Sequence, residues 1–534
     1  MNIKNFVNYL GRNSRIVFAV AMFVGVFLFW FVRYPHALSY QEQNQLFLFT
    51  ADYLVSDVSK MGGLAAYLGE FIVQFYYVEW LGAAMLALVY VLLYVLLSRV
   101  MKPSLALVPC VLMLWHYGDE NVLLAYMMAA ILSLAAYLAM KKMPIYSDVV
   151  VVPALFWLAG PMAWLYVVLR SIRQKLYFGL TLVAYSAIVA AVLAFVVLLQ
   201  YPVLSAFFGI GYYAVPMTYP ALQFVIPLAI VLLSLASEKL QNVRYLDCAA
   251  LLSAVALSFC ADKIGFDKEK YEVLKLDYLV RNERWNDIIS LSENHQMQNN
   301  YGSVCVNLAL AKTGQLPYRM FSFYQSGPDA LAMGFERDNL TCIPTMEVFY
   351  HLGMVNECMR YAFDIQESIL TGKSSGRMTK RIAECCLANG WNDVAQKHLD
   401  MLRHSLFYRD WAEKAAVSPH LKKFRYKDDF LYNYNEIDKM FGMLFQCNPK
   451  NKMALEYFLG QTLLNCDAQG FMQYLGWAGQ YGGYGEMPEG YADAVRCIQQ
   501  RGNVRYSNYA DYLHSFMQRA QEMGVNINEN NSVH

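Results

Sequence analysis

The sequence changes character once, near residue 262. Before that point long apolar stretches follow one another, the first running from Ile16 to Val32; after it, apolar and charged residues alternate as in water-soluble helices. A hydrocarbon core takes roughly 20 apolar residues per helical crossing, so the first half is expected to cross a bilayer repeatedly. The 534 residues carry a formal net charge of +1 and only 16% are charged, against about 25% in an average soluble chain. Near-neutrality argues against a nucleic-acid partner, whose binders show a basic face. The first apolar run is longer than the core of a secretion signal, and Arg33, Tyr34 and Pro35 follow it where a small-residue cleavage site would stand. It reads as a permanent helix.

Basic residues set the expected topology. Lys4, Arg12 and Arg15 precede the first apolar run; Arg99 and Lys102, Lys141 and Lys142, Arg170, Arg173 and Lys175, and Lys239 and Arg244 mark later loops. Cytoplasmic loops collect Lys and Arg, so these clusters are expected on one side. The segments 34–80, 116–121 and 201–219, which are poor in Lys and Arg, then fall on the other. This works only if the stretch from Val149 to Leu169 leaves and returns on the same side, broken at Gly160 and Pro161. The alternative, one ordinary crossing, would place Arg170 and Arg173 outside. Asp148 and Asp247 fall at cytoplasmic ends and are assigned no role. The expectation is a multi-pass protein of a bacterial inner membrane, N-terminus cytoplasmic and C-terminal half periplasmic. The eleven cysteines form no Cys-x-x-Cys motif and read as buried thiols, which favours a reducing compartment and stands in tension with that placement.

From Lys268 onward a phrase recurs: an apolar helix end, a polar or glycine turn, and a second amphipathic helix. The turns fall near Asn282, Gly314, Gly353, Gly390 and Cys466, about 32 to 39 residues apart with one gap near twice that. Helix–turn–helix repeats of this period indicate a solenoid, and the gap over 424–448 has room for a degenerate repeat. The array resembles tetratricopeptide repeats, although the consensus Trp, Gly-Tyr and Pro positions are not all met. The expected fold class is therefore all-α: a polytopic transmembrane bundle over 1–262 with a long external loop at 34–80, a soluble α-solenoid over 263–524, and a polar tail at 525–534. Such arrays present concave surfaces, so a protein or peptide partner is expected there.

The segment after the first apolar run is too long for a simple connection, helix connections in bundles usually taking about 2 to 8 residues. Leu46, Phe47, Phe49, Tyr53 and Leu54 suggest one amphipathic face, and Leu64, Tyr67, Leu68, Phe71, Ile72 and Phe75 another after Gly62 and Gly63. Two interfacial helices are expected, with Glu42, Gln43 and Gln45 facing a cavity above the membrane.

That layout resembles the C-type glycosyltransferases, which take sugars from polyprenyl-phosphate carriers. The resemblance implies an essential acid early in the first external loop, here Glu42 with Asp52 as second choice. It implies a second acidic pair in a later loop, here Asp119 and Glu120 in "WHYGDENV". Such an acid would take a proton from the acceptor; the second pair, or a divalent cation on Asp119 and Glu120, would offset charge on the leaving phosphate. Arg33, His36, Gln43, Gln45 and His116 are the candidate substrate-binding residues. The "FFGIGYYAVPMTYP" loop from Phe207 reads as an aromatic interface belt or a sugar- or lipid-facing loop. The chain also resembles a bacterial family of membrane proteins of unknown function through "QEQ-x-QLFLFT-x-DY" (Gln41 to Tyr53) and "GGLA-x-YLG" (Gly62 to Gly69), a likeness that implies no activity. A membrane transferase half with an external helix-repeat half also occurs in some protein O-mannosyltransferases.

Two functions follow as expectations. One is a glycosyltransferase using a lipid-linked sugar at the outer face of the membrane, its repeats holding acceptor or partner. The other is a non-catalytic, membrane-anchored repeat scaffold for envelope assembly.

Overall fold

The computed structural model describes residues 3–197, 202–214, 221–239, 252–253, 255–256, 266–334, 339–369, 371–424, 436–500 and 506–522. The crossing expected to end at Ala261, the basic residue Arg244, Asp247, the polar tail 525–534, part of the 201–219 loop and much of the degenerate repeat lie outside the described residues. So do the side chains of Lys4, Arg12 and Lys239. The fold is all-α; among the described residues the β pairing is one isolated bridge between Val122 and Ala214. The chain divides into two compact units: Met1–Tyr271 with His404–Arg409, and Glu272–Arg403 with Asp410–His534.

The first unit holds helices α1 (Ile3–Leu28), α2 (Pro35–Gln43), α3 (Ala51–Val58), α4 (Gly63–Val73), α5 (Glu79–Val100), α6 (Leu107–His116), α7 (Ala125–Met140), α8 (Asp148–Ala159), α9 (Ala163–Ile172), α10 (Leu176–Val192), α11 (Val203–Phe208) and α12 (Leu222–Lys239). The centre is α7, which packs on α4, α5, α8 and α9, while α1 lies along α5 and α10 along α8 and α9. Outer helices keep apolar faces open. On α1 and the turn after it, Ile16, Val20, Val24, Leu28 and Val32 are all exposed, a stripe at every fourth residue that lies on one helix face. Leu176, Leu180 and Ile188 do the same on α10. Continuous exposed apolar surface of this kind is not tolerated in water and suits hydrocarbon. Four helical stretches are long and apolar enough to cross a membrane: Ser14–Arg33, Glu79–Val100, Ile145–Ile172 and Leu176–Phe195. The protein is therefore membrane-associated. The apolar helices α6 and α7 span only 10 and 16 residues, short of the length read from the sequence.

The stretch Ile145–Ile172 has the length of a crossing but does not run straight. Asp148 opens α8 and Arg170 lies in the last turn of α9; a continuous helix would hold them about 33 Å apart. Instead Arg170 Nε is 3.1 Å from Asp148 Oδ2, with both side chains buried. The two half-helices form a hairpin. Its tip is Gly160, at φ +71°, where a Cβ would crowd the rings of Tyr212 and Tyr213. Breaking a helix frees backbone groups that a membrane interior cannot solvate, and here neighbours take them up. Tyr213 Oη accepts from Met162 N at 3.0 Å and donates to Ala159 O at 2.6 Å, and Ser133 Oγ donates to Met162 O at 3.0 Å. At the base, Arg170 also donates to the carbonyls of Met143 and Lys141, and Tyr166 donates to Asp148. Asp148, assigned no role from the sequence, is thus the anchor of the hairpin.

In the second unit helices pair with their sequence neighbours: Ile343–Leu352 with Val355–Glu367, Gly376–Asn389 with Asn392–Arg403, Ile437–Cys447 with Lys452–Leu464, and Lys452–Leu464 with Ala468–Gln480. One backbone turn closes five helices. Residues Glu283, Gly314, Gly353, Gly390 and Cys466 have positive φ. The next amide in each case bonds back five residues: Arg284 to Leu279, Gln315 to Leu310, Met354 to Phe349, Trp391 to Cys386 and Asp467 to Thr462. That is the Schellman closure, with the left-handed residue just past the helix end. The five turns fall where the sequence repeat places them.

Candidate functional site

Pro35 starts α2, since its fixed φ suits a first helical turn. The helix does not lie along an interface: His36, Ala37, Leu38, Ser39, Glu42 and Gln43 are all buried. Glu42 and Gln43 are 3% exposed and do not face an open cavity, contrary to expectation. The first expected amphipathic helix is also shorter than read. Leu46 to Phe49 form a non-helical stretch, and α3 begins only at Ala51, where Thr50 caps it by accepting from the Tyr53 amide. The second forms as α4, with Phe75 in the tighter turn that follows it.

Three further pieces of chain meet α2. The turn after α6 is bound to it: Tyr117 Oη donates to Gln41 Oε1 and lies 3.2 Å from Tyr76 Oη. The segment before the second unit closes on the same turn, with Tyr271 Oη donating to Gly118 O at 2.8 Å and Lys270 Nζ to Glu120 Oε1 at 2.6 Å. Phe266 stacks on Tyr34 at 5.0 Å between ring centroids, and the His36 ring stands edge-on to Tyr271 at 5.7 Å. The third piece is a strap, His404–Arg409, which belongs to the first unit although the chain around it belongs to the second. Tyr408 Oη donates to Glu42 Oε1 at 2.7 Å. Phe407 stacks on Tyr77 at 5.4 Å and meets Phe75 edge-on, while the Phe49 amide donates to His404 O at 2.8 Å.

The acid-bearing loop and the "WHYGDENV" turn therefore converge, joined through Gln41 and Tyr117. Within that convergence the individual acids are engaged. Asp119 Oδ1 accepts from the backbone and side-chain nitrogens of Asn121, both at 3.0 Å, and so closes its own turn. Glu120 holds Lys270, and the hydrogen bond raises the Lys270 ammonium above its usual range. His116 is buried edge-on against Tyr126 at 4.6 Å. Gln45 reaches the Glu70 carbonyl at 3.4 Å, and Glu70 accepts from Tyr53 Oη. Asp52 is exposed in the first turn of α3, a position where an acid complements the helix dipole. Arg33 is exposed with its guanidinium over the Tyr34 ring. Among the described residues no group of three or more His, Cys, Asp and Glu side chains comes together to hold a metal ion.

A second concentration of polar groups lies inside the second unit, and the sequence did not single it out. Arg377 Nη1 contacts both Asp277 oxygens at 2.8 and 3.0 Å, and its Nη2 reaches Glu347 at 3.2 Å. Arg381 bridges Glu347 at 2.7 Å and Glu384 at 3.3 Å while its guanidinium lies 3.5 Å over the Tyr350 ring. Burial alone would raise the Glu347 carboxyl, but Arg381 and Arg377 outweigh it and bring it down to about 2. Glu456 is the opposite case. It is buried with Oε2 lacking a hydrogen bond, and burial, only partly countered by Lys452, pushes it up to about 8.

The chain belongs to the family of unknown function DUF6057. The match covers residues 12–524, nearly the whole chain, across both units. No curated protein and no solved structure matches it. No match supports the expected likeness to C-type glycosyltransferases or to tetratricopeptide arrays. The family match spans the apolar first half, the strap and the helical second unit, and assigns chemistry to none of them.

Proposed function

We propose that this protein is a membrane-anchored helical-repeat scaffold. In this reading it sits in a bacterial inner membrane, its N-terminus cytoplasmic and its array periplasmic, and the array binds a protein or peptide partner in envelope assembly. The observation that carries the reading is the state of Glu42: the acid best placed for catalysis is buried and held by Tyr408. Asp119 and Glu120, the second acidic pair, are likewise occupied with Asn121 and Lys270. A carboxylate removed from water and hydrogen-bonded in this way does the work of a tie.

The second reading, transfer of sugar from a polyprenyl-phosphate carrier, is favoured by the convergence of the Gln41–Glu42 loop with the Tyr117–Glu120 turn. One substitution separates the two. Glu42→Gln in the full chain keeps an oxygen for Tyr408 Oη but cannot act as a base. The scaffold reading expects this variant to complement a deletion strain with an unchanged envelope glycan profile. Loss of a glycan from a variant that is inserted and folded at wild-type levels would overturn it in favour of transfer.

A further inference from the structure

At the tip of the α8–α9 hairpin lies a cavity of about 360 Å³, within the range of small-molecule pockets. Leu165 and Val168 of α9, Phe207 and Phe208 of α11, and Phe224 and Pro227 of α12 form its apolar wall. Polar groups also stand in the wall, but the protein already uses them. Trp164 Nε1 donates to Phe207 O at 2.9 Å, Tyr126 Oη to Gln223 O at 2.8 Å, and the Gln223 amide nitrogen to Gly209 O. Tyr213 Oη is the group that seals the hairpin tip. An occupant finds little there to orient a polar group, so hydrophobic contact has to hold it. The rim continues into exposed apolar surface: Leu204, Phe208, Phe224 and Leu228 are between 43% and 57% exposed. The cavity thus opens onto the kind of surface that the outer helices turn to hydrocarbon.

We propose that this cavity holds one hydrocarbon chain of a bilayer phospholipid. The chain would fill the space between α9, α11 and α12 and brace the hairpin tip, where Tyr213 and Ser133 take up backbone groups of Ala159 and Met162. The inference concerns a lipid site in the membrane half and does not depend on whether the array binds a partner or the loop transfers a sugar.

The test uses the full-length protein in nanodiscs containing a diacyl phosphatidylcholine with a diazirine near the end of one acyl chain. After illumination, mass spectrometry maps the labelled residues. Label is expected to concentrate on 161–168, 207–208 and 224–227 above the level on 176–180 of α10, whose side chains are simply exposed. Leu165→Trp and Val168→Trp, which fill the cavity, are each expected to bring the pocket label down to the α10 level while leaving α10 label unchanged. Pocket label in the wild type no denser than on α10 would overturn the proposal, and this reading needs no variant to fold. Pocket label that survives both substitutions would overturn it too. A diazirine-bearing isoprenoid alcohol that labels the pocket in preference to the phospholipid would overturn the choice of occupant.

Discussion

In the second unit, five helices end in the same backbone turn, each closed by an amide reaching back five residues. The contacts that close the first unit join distant residues instead: Gln41 with Tyr117, Asp148 with Arg170, Glu42 with Tyr408. Closing a long loop costs entropy before any contact offsets it, so the first unit depends on a few strong ties. The second closes its helix pairs through weak local turns, beside one buried long-range group in which Arg377 meets Asp277 and Glu347. Damage to the ties of the first unit should accordingly be concentrated, and damage to the turns of the second distributed.

The largest expected effect is at the hairpin base. Asp148→Ala would leave Arg170 buried with its charge uncompensated, and removing one partner of such a pair costs about 3–5 kcal/mol. Thermal unfolding of the detergent-solubilised protein should show a large fall, most of it restored by the paired change Asp148→Leu with Arg170→Met. A single variant as stable as wild type would mean that the tie contributes little and the contrast between the units is misplaced.

Next comes a pH effect in the second unit. With a folded value of about 8, above the ordinary carboxylate range, Glu456 keeps its proton in the folded state. The stability this provides is complete below about pH 4.5 and is lost as pH rises through 8. Wild type should therefore lose stability over that window, by on the order of a few kcal/mol, while Glu456→Gln should flatten the loss. Glu347 runs the other way. Held at about 2 by Arg381 and Arg377 against its burial, it stabilises above about pH 4.5 and ceases to do so as pH falls through 2. Denaturant midpoints measured across pH would check both signs.

The smallest effects sharpen the comparison most. Gly353 has φ +84°, and Gly353→Ala should cost about 1 kcal/mol because a Cβ disfavours the left-handed region. Glu283 adopts φ +51° without being glycine; Glu283→Gly should gain up to about 1 kcal/mol by the same argument. Small opposite shifts in melting temperature would confirm that these turns are equivalent. A large cooperative loss from Gly353→Ala would show that the array depends on single closures after all.

The sequence made one kind of information visible and hid the other. The helix-pair register could be read because each turn is written in its own residues: a glycine or polar residue flanked by apolar ones at a steady spacing. The break at Gly160–Pro161 could be read for the same reason, since both residues act on their own backbone. Partners across long separations left no such mark. Glu42 stood out as an acid after an apolar run, but nothing near it announced Tyr408. Asp148 looked like an ordinary helix end, although Arg170 was already counted among the basic residues. The buried group Asp277, Glu347, Arg377 and Arg381 was hidden likewise, each residue passing for a solvated charge on an amphipathic helix. The expectation of an open cavity around Glu42 failed because Phe407 and Tyr408, supplied from far along the chain, help to close that region.

The strap also has a consequence for how the protein is made. Glu42 leaves the ribosome 366 residues before Tyr408, a delay of roughly 20 to 70 s at usual synthesis rates of about 5–20 residues per second. For that interval the nascent loop carries a carboxylate without its hydroxyl donor and aromatic rings without Phe407. A polypeptide released before His404 would never acquire them, so quality control could sense premature termination through the anchor itself.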